Sequence, residues 1–206
     1  MPGKRFIIVF TVSLAAGFAF SFYRSLKEDP RRVPSKETGM PAAEKKYETA
    51  ILAGGCFWGM EEIIRSIPGV IETKVGYTGG DMEAPGYNDV KSGATGHAES
   101  IEIKFEPAKL AYGALLDLFF KMHDPTTPGR QGNDAGSQYR SAIFYSGPEQ
   151  KAEAEAAVKR AQASGLWRNP VITEIVPFKK FWAAEEYHQD YLKKNPGGYT
   201  CHYVRR

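Results

Sequence analysis

The chain is poor in cysteine, because only Cys56 and Cys201 occur among its 206 residues. Two cysteines exclude a disulfide-rich scaffold, and their separation is not a metal-ligand spacing. The net charge is only +3; residues 1–46 carry +5 and the remainder carries −2. The basic excess therefore belongs to the N-terminal segment, and we predict no nucleic-acid partner. No internal repeat divides the chain, and its 42% apolar and 13% aromatic residues suffice for one core.

Residues 1–30 differ in character from the rest of the chain. Lys4 and Arg5 precede an apolar run of 17 residues, 6–22, which is at the lower limit for a helix that spans a bilayer. The run fits a signal peptide, with small residues for cleavage at 17–19, or an uncleaved membrane anchor. A buried core helix is disfavoured, because no polar face interrupts the run. Basic residues on both flanks leave the orientation open. We expect an exported or membrane-anchored protein, with the periplasmic side favoured.

The segment that follows separates this N-terminal module from a folded domain. Residues 31–46 are polar and contain Pro34 and Pro41. This composition is typical of a flexible tether. The sequence therefore predicts one domain over residues 47–206.

The hydrophobic pattern of that domain predicts the element order strand, helix, two strands, helix, strand, helix, strand. The alternation of Ile101, Ile103 and Phe105 with polar residues is typical of a half-buried strand. A Ser-Gly-Pro-Glu segment at 146–149 matches a capping box that starts a helix ending at Gly165. The order predicts an α+β fold: a two-layer α/β sandwich with helices packed on a mixed sheet, a ferredoxin-like core and a long irregular C-terminal segment. The predicted strands are 49–53, 70–77, 99–105, 140–145 and 171–176, and the other predicted helices are 58–66 and 108–122.

Cys56 stands where a strand ends in two glycines and a helix begins, in GGCFWG at 54–59. Unpaired backbone N–H groups and the positive end of a helix dipole favour a thiolate at such a position. The glycines allow a substrate to approach the backbone. Phe57 and Trp58 offer an apolar wall beside the sulfur. The alternative, a buried structural cysteine, is disfavoured by the adjacent glycines and aromatics.

Cys201 lies in a glycine-rich segment, NPGGYTCH at 195–202. A cysteine in a segment that moves can reach a sulfenic acid on Cys56 and close a disulfide. The equally weighted alternative is a permanent disulfide in an exported protein. The spacing of the two cysteines does not decide between these interpretations.

Further polar residues lie in loops and at a strand start. Glu99 follows His97 at the start of a strand, and a buried carboxyl there can keep its proton and act as an acid. Asp134 and Tyr139 lie in a polar loop that contains glycine, and Tyr87 lies in a loop rich in Gly and Pro. Tyrosine hydroxyls can hold a polar substrate oxygen. Structural roles stay open for each: a turn cap for the aspartate, core packing for the tyrosines and a structural histidine.

Together these motifs resemble the A-type peptide methionine sulfoxide reductases. The resemblance covers nearly all of residues 47–202. It implies an oxidoreductase that reduces the S-sulfoxide of methionine, protein-bound or free, without a metal or an organic cofactor, and with a thioredoxin-like protein as reductant. We also expect the protein to be a monomer. The matching segments are GGCFWG at 54–59, GHAES at 96–100, GNDAGSQYRS at 132–141, EEYHQDYL at 185–192 and GYTCH at 198–202.

Carried over residue by residue, the family's roles fall on eight side chains. The nucleophile, the proton-donating acid and the resolving cysteine are Cys56, Glu99 and Cys201. Around the substrate, Tyr87 and Tyr139 would bind the sulfoxide oxygen, Asp134 would support this polar site, and Phe57 and Trp58 would receive the methyl group. A Cys56 thiolate would attack the sulfur, become a sulfenic acid and condense with Cys201. Some family members carry a further cysteine that relays the disulfide; because this chain ends at Arg206 without one, we expect the donor to attack the Cys56–Cys201 disulfide directly.

Two other functions compete with this interpretation. A cysteine hydrolase would use His97 or His188 to activate Cys56, with Asp134 orienting the base. A tethered binding module would keep the two cysteines as a structural disulfide. A hydrolase has no use for Cys201, and oxidation of a dithiol during turnover distinguishes the three.

Overall fold

The structure is a computed structural model that describes residues 46–206. The predicted signal peptide or anchor at 1–30, its apolar run at 6–22 and the tether up to residue 45 lie outside the described residues. Within 46–206, no helix is long and apolar enough to cross a bilayer.

Regular elements alternate along the described chain. The strands are β1 (Glu48–Gly54), β2 (Val70–Thr78), β3 (Ala98–Phe105), β4 (Arg130–Gln131), β5 (Asp134–Ala135), β6 (Ser141–Tyr145), β7 (Glu174–Pro177) and β8 (Trp182–Ala183). The helices are α1 (Phe57–Ile64), α2 (Tyr87–Lys91), α3 (Tyr112–Met122), α4 (Pro148–Ala163) and α5 (Tyr191–Lys194), and a 3₁₀ turn spans Ser137–Tyr139.

Six strands form one mixed sheet in the order β7-β6-β1-β3-β2-β8. The central four, β6-β1-β3-β2, pair antiparallel with one another, which is the ferredoxin-like arrangement. At the edges, β7 pairs parallel to β6 and β8 pairs antiparallel to β2. The predicted α+β fold with a mixed sheet is therefore confirmed.

The central strand β1 is buried on both faces of the sheet. On one face Ala50 and Leu52 join the main core with side chains from α1, α3 and α4. On the other face Ile51 and Ala53 belong to a smaller cluster, against which Phe178 and other side chains after β7 pack. Burial on both faces explains why ETAILAG reads as a nearly continuous apolar run and not as an alternating strand.

Two helix starts differ from the prediction. The helix predicted from residue 108 begins at Tyr112, because residues 107–109 form a turn in which the N–H of Leu110 bonds the Glu106 carbonyl at 2.9 Å. The predicted capping box at 146–149 is absent: Gly147 is the N-cap of α4 and has no side chain to accept a backbone N–H. Instead the N–H of Ser146 donates to Gln150 Oε1 at 2.9 Å. The proline prediction holds, with Pro148 in the first turn.

Candidate active site

The turn between β1 and α1 places Cys56 at the edge of the core. The cysteine is the N-cap of α1 and is 6% exposed. Gly55 before it has φ +107°, and a β-carbon there would lie 2.5 Å from Gln131. Both the left-handed backbone and the close approach require glycine. The second glycine of GGCFWG is thus explained by the conformation and packing of the turn that precedes Cys56.

Glu99 reaches the same turn from the neighbouring strand β3. Its Oε2 accepts the N–H of Phe57, the first residue of α1, at 3.1 Å, and its side chain is 3% exposed. Burial raises the pKa of Glu99 to about 8, with the charge of Asp134 adding to it and the Phe57 N–H opposing it. The carboxyl is therefore largely protonated at pH 7, and it lies at the helix end next to the cysteine.

Cys56 itself holds its proton in the resting site. Burial raises the pKa of its thiol well above the ordinary range, and the charge of Glu99 raises it further. The Trp58 N–H opposes this rise and is outweighed. The expectation that the helix N-terminus holds a resting thiolate is therefore wrong for this site, because desolvation exceeds the dipole. Because the Coulombic penalty vanishes when Glu99 is neutral, ionisation of Cys56 is coupled to protonation of Glu99.

The two predicted tyrosines lie in the electrostatic field of the same groups. Burial raises the pKa of Tyr87, and the charges of Glu99 and Cys56 raise it further. Burial likewise raises the pKa of Tyr139, with Glu99 as the next cause. Both phenols are therefore neutral donors beside the acid and the thiol. Asp134 lies on the rim, where its Oδ2 accepts the hydroxyl of Tyr199 at 3.1 Å.

The aromatic wall beside the sulfur is held in place from the EEYHQDYL segment. Trp58 donates its indole N–H to Nδ1 of His188 at 3.0 Å. Its ring stacks on Tyr191, with centroids 3.8 Å apart and planes 13° apart. Phe57 is buried, and its ring centroid lies 5.1 Å from that of His188. The wall is therefore rigid, with one buried ring and one half-buried ring.

Cys201 is already packed into the site. A β-carbon built on Gly132 would lie 3.2 Å from the Cβ of Cys201. The backbone N–H of Cys56 donates a hydrogen bond to the Cys201 sulfur. Burial raises the pKa of Cys201 to about 12, and a hydrogen bond with Asp134 adds to the rise. Both cysteines are free thiols. The C-terminal segment thus docks on the catalytic turn in the dithiol form, without a disulfide to hold it.

The docking depends on a second glycine and a histidine. A β-carbon on Gly59 of α1 would collide with Thr200 Oγ1 and would lie 2.6 Å from Nδ1 of His202. His202 is 7% exposed, and its Nε2 lies 2.8 Å from the Gly54 carbonyl oxygen. The final glycine of GGCFWG therefore leaves room for the C-terminal segment, which crosses α1 at this point.

Comparisons with known proteins agree with this geometry. The family model described as Peptide methionine sulfoxide reductase matches residues 48–206. The chain belongs to the peptide methionine sulfoxide reductase family. It is 56% identical over 158 residues to peptide methionine sulfoxide reductase MsrA 1 of Mesorhizobium japonicum. The aligned residues cover 77% of this chain and 90% of that protein.

Solved structures of Mxr1 from Saccharomyces cerevisiae are also similar. The reduced form is 38% identical, has a TM-score of 0.74 and covers 78% of this chain and 93% of that chain. Mxr1 in complex with Trx2 is 26% identical, has a TM-score of 0.53 and covers 82% of this chain and 97% of that chain. The predicted family and fold class are confirmed.

The two histidines that a cysteine hydrolase would use, His97 and His188, form hydrogen bonds with groups other than Cys56. His97 Nδ1 accepts the N–H of Gly80 at 3.2 Å, and its Nε2 donates to the Met82 carbonyl at 2.8 Å. His188 Nδ1 is taken by Trp58. Among residues 46–206, no hydrogen bond joins Cys56 to either histidine. The hydrolase interpretation is not favoured.

Several residues of this peptide methionine sulfoxide reductase site were not predicted from the sequence. Glu185 accepts the N–H of Tyr87 at 2.9 Å and the hydroxyl of Tyr77 at 3.0 Å, so it fixes the start of α2. His188, proposed only as a base, instead orients the indole of the wall. His202 and Tyr199 belong to the GYTCH segment, which marked their neighbourhood without indicating their contacts.

Proposed function

We propose that this chain reduces methionine S-sulfoxide to methionine, in proteins and as the free amino acid, with Cys56 as nucleophile and Glu99 as acid. One observation carries the proposal: a buried carboxyl, with its pKa raised to about 8, caps the helix that presents the cysteine. A sulfoxide sulfur becomes electrophilic when its oxygen receives a proton or a strong hydrogen bond. A carboxylic acid that is neutral at pH 7 supplies that proton.

The first step uses two protons, that of the Glu99 acid and that of the Cys56 thiol. Glu99 protonates the sulfoxide oxygen while the Cys56 sulfur attacks the sulfoxide sulfur. The oxygen then transfers from the substrate sulfur to the Cys56 sulfur as the bond between the two sulfurs breaks. Methionine leaves, Cys56 becomes a sulfenic acid, and the thiol proton restores the carboxylic acid. Tyr87 and Tyr139 donate hydrogen bonds to the oxygen as negative charge develops there. The reduced methionine and the oxidised cysteine balance the two electrons exchanged.

Substrate selectivity follows from two neighbouring sites, one for the methyl group and one for the oxygen that are bonded to the sulfoxide sulfur. The rings of Phe57 and Trp58 take the methyl group by apolar contact, and the acid and the tyrosine hydroxyls take the oxygen. Because the methyl and oxygen positions are both fixed relative to the attacking Cys56, only one epimer directs its methionine backbone to solvent. Contacts are confined to the end of the side chain, so flanking sequence has little influence.

The second step closes a disulfide between Cys56 and Cys201, and a thioredoxin-like protein reduces it. Closure is supported by the docking of the C-terminal segment beside Cys56, where the Cys56 N–H forms a hydrogen bond with the Cys201 sulfur. The complex of the related Mxr1 with Trx2 supports a thioredoxin as donor. Thiolate attack on the disulfide restores the dithiol.

Stoichiometry tests the proposal. Reduced protein is mixed with resolved S and R epimers of N-acetylmethionine sulfoxide, without added reductant. We expect one equivalent of methionine derivative from the S epimer, loss of two thiols and nothing from the R epimer, whereas Cys56→Ser yields neither change. Turnover that leaves both thiols free would contradict the reductase mechanism and favour a hydrolase.

We propose that residues 1–30 export the chain or anchor it, that 31–46 act as a tether and that 47–206 work as a monomer on the far side of the membrane. The apolar run 6–22 and the polar tether support this arrangement. Intact mass of protein from membrane and soluble fractions tests it. A full-length mass found only in the cytosolic fraction would contradict both export and anchoring.

A further inference from the structure

The residue after the resolving cysteine lies against its sulfur. Nδ1 of His202 is 3.4 Å from Sγ of Cys201, and its Nε2 is 2.8 Å from the carbonyl oxygen of Gly54. A carbonyl oxygen only accepts hydrogen bonds, so Nε2 carries the ring proton. In a neutral imidazole the other nitrogen then has a free lone pair. The backbone of the catalytic turn thereby orients a basic nitrogen towards the Cys201 sulfur.

The protonation states of the two partners fit this direction of the hydrogen bond. Burial lowers the pKa of His202; Arg205 lowers it further, while the Gly54 carbonyl and Asp134 oppose. His123, buried under the same turn, has its pKa lowered to about 3, again chiefly by burial, so it adds no charge nearby. With its raised pKa, Cys201 is a thiol. The S–H therefore has two acceptors beside it, Nδ1 of His202 at 3.4 Å and the carboxylate of Asp134.

We propose that His202 is a further catalytic residue: the general base that takes the proton of Cys201 at Nδ1 while Cys201 attacks the Cys56 sulfenic acid. This inference rests on the proposed function, in which Cys201 is the resolving cysteine. Cys201 must lose its proton before it attacks, because the thiolate and not the thiol is the nucleophile. His202, the final residue of GYTCH, would accept that proton.

The step balances in atoms and electrons. The Cys201–Cys56 sulfur–sulfur bond forms and the Cys56 sulfur–oxygen bond breaks; the Cys201 sulfur is oxidised and the Cys56 sulfur is reduced. The thiol proton moves to Nδ1 of His202, and the departing oxygen takes a proton from the Glu99 acid and leaves as water. The imidazolium then releases its proton to solvent, and the Glu99 carboxylate takes one up.

Asp134 is the other acceptor beside Cys201. Its carboxylate interacts with the thiol, and it also accepts the hydroxyl of Tyr199 at 3.1 Å. His202 is better placed to act as the base, because its Nδ1 has no other partner in the described part of the chain and its ring is anchored through Nε2. A test must therefore include both residues.

Single-turnover kinetics on the full chain separate the two steps. Methionine release reports the first step, and decay of a dimedone-reactive sulfenic acid reports the second. His202→Gln keeps a donor for the Gly54 carbonyl but has no basic nitrogen; His202→Asn keeps a polar atom near Nδ1 but loses the anchor. Asp134→Asn tests the competing base, and Tyr203→Phe, at a side chain 61% exposed, controls for changes in the same segment.

His202→Gln should slow disulfide closure about 10²-fold at pH 7, the low end for general base catalysis, and should slow methionine release far less. His202→Asn, which also loses the contact with the Gly54 carbonyl, should close the disulfide at least as slowly. Below pH 8 the closure rate of both variants should rise by up to about tenfold per pH unit, because only hydroxide then generates the thiolate. Between pH 7 and 8 the wild-type rate should not rise, since its base is already neutral there, and above pH 8 it should fall as the Glu99 acid loses its proton.

Two results would overturn the role of His202. The first is closure at the wild-type rate in folded His202→Gln; slow closure in Asp134→Asn would then identify Asp134 as the base. The second is a wild-type closure rate that itself rises tenfold per pH unit below pH 8, which needs no variant to fold. If the wild type releases methionine without forming a disulfide, the proposed function itself fails, and with it the inference.

Discussion

Replacing Glu99 by glutamine keeps the size of the buried side chain and a carbonyl oxygen for the Phe57 N–H, but removes the proton. General acid catalysis is worth about 10²–10⁴-fold, so the rate of methionine formation in a single turnover at pH 7 should fall by that factor. The wild-type rate should itself decline above pH 8, because Glu99 loses its proton with a pKa of about 8. The variant should lack this decline.

The same substitution, which lowers the rate, should raise the free energy of unfolding relative to wild type at neutral pH. The pKa of Glu99 is raised from 4.5 in the unfolded chain to about 8 in the folded chain, so folding favours the neutral acid. Its contribution is fully present below pH 4.5 and is lost as the pH rises to 8. Because one unit is worth about 1.4 kcal/mol, the loss amounts to about 3 kcal/mol at pH 7. Glu99→Gln avoids this loss.

Urea unfolding of wild type and variant at pH 4 and pH 8 measures the effect. The difference in the free energy of unfolding should shift by about 3 kcal/mol or more in favour of the variant between these pH values. Glu102→Gln, on the same strand and half-buried, is the matched control and should change neither rate nor pH dependence. The reasoning is refuted if Glu99→Gln reduces sulfoxide at nearly the wild-type rate at pH 7, or if the stability difference does not depend on pH.

Three further substitutions or truncations test other parts of the site. Cys201→Ser should fold, release about one equivalent of methionine and then stall with thioredoxin, leaving a sulfenic acid that dimedone traps; repeated turnover with thioredoxin would exclude a resolving role. Tyr87→Phe and Tyr139→Phe should each lower the first-step rate less than the double variant, because both hydroxyls serve one oxygen; a double variant as fast as either single one would contradict a shared oxygen site. The chain truncated to residues 47–206 should be soluble and reduce sulfoxide at the full-length rate, and an unfolded truncated chain by circular dichroism would disprove the domain boundary.

Much of the fold was predictable because its elements carry local signals. The alternation in β3 and the glycine pair after β1 follow directly from strand and turn chemistry. The start of α3 was not predictable, because Pro107 permits both a helix and the turn that actually precedes Tyr112. The prediction of the α4 cap was wrong for a related reason. Ser146 matched the capping pattern, yet the N-cap is Gly147, whose backbone is extended. Boundaries depend on packing, which a local pattern does not contain.

The sequence by itself determined which chemistry is available: two cysteines, an acid in GHAES, tyrosines in loops and an aromatic pair beside the first sulfur. Only the tertiary structure decided their ionisation, since desolvation comes from the whole core: it raises the pKa of Cys56 against the helix dipole and that of Glu99 to about 8. Only the tertiary structure also brought residue 202 to the Gly54 carbonyl, 148 positions away along the chain. Contacts of that range arise from packing of the C-terminal segment across α1, and no local spacing in the sequence specifies them.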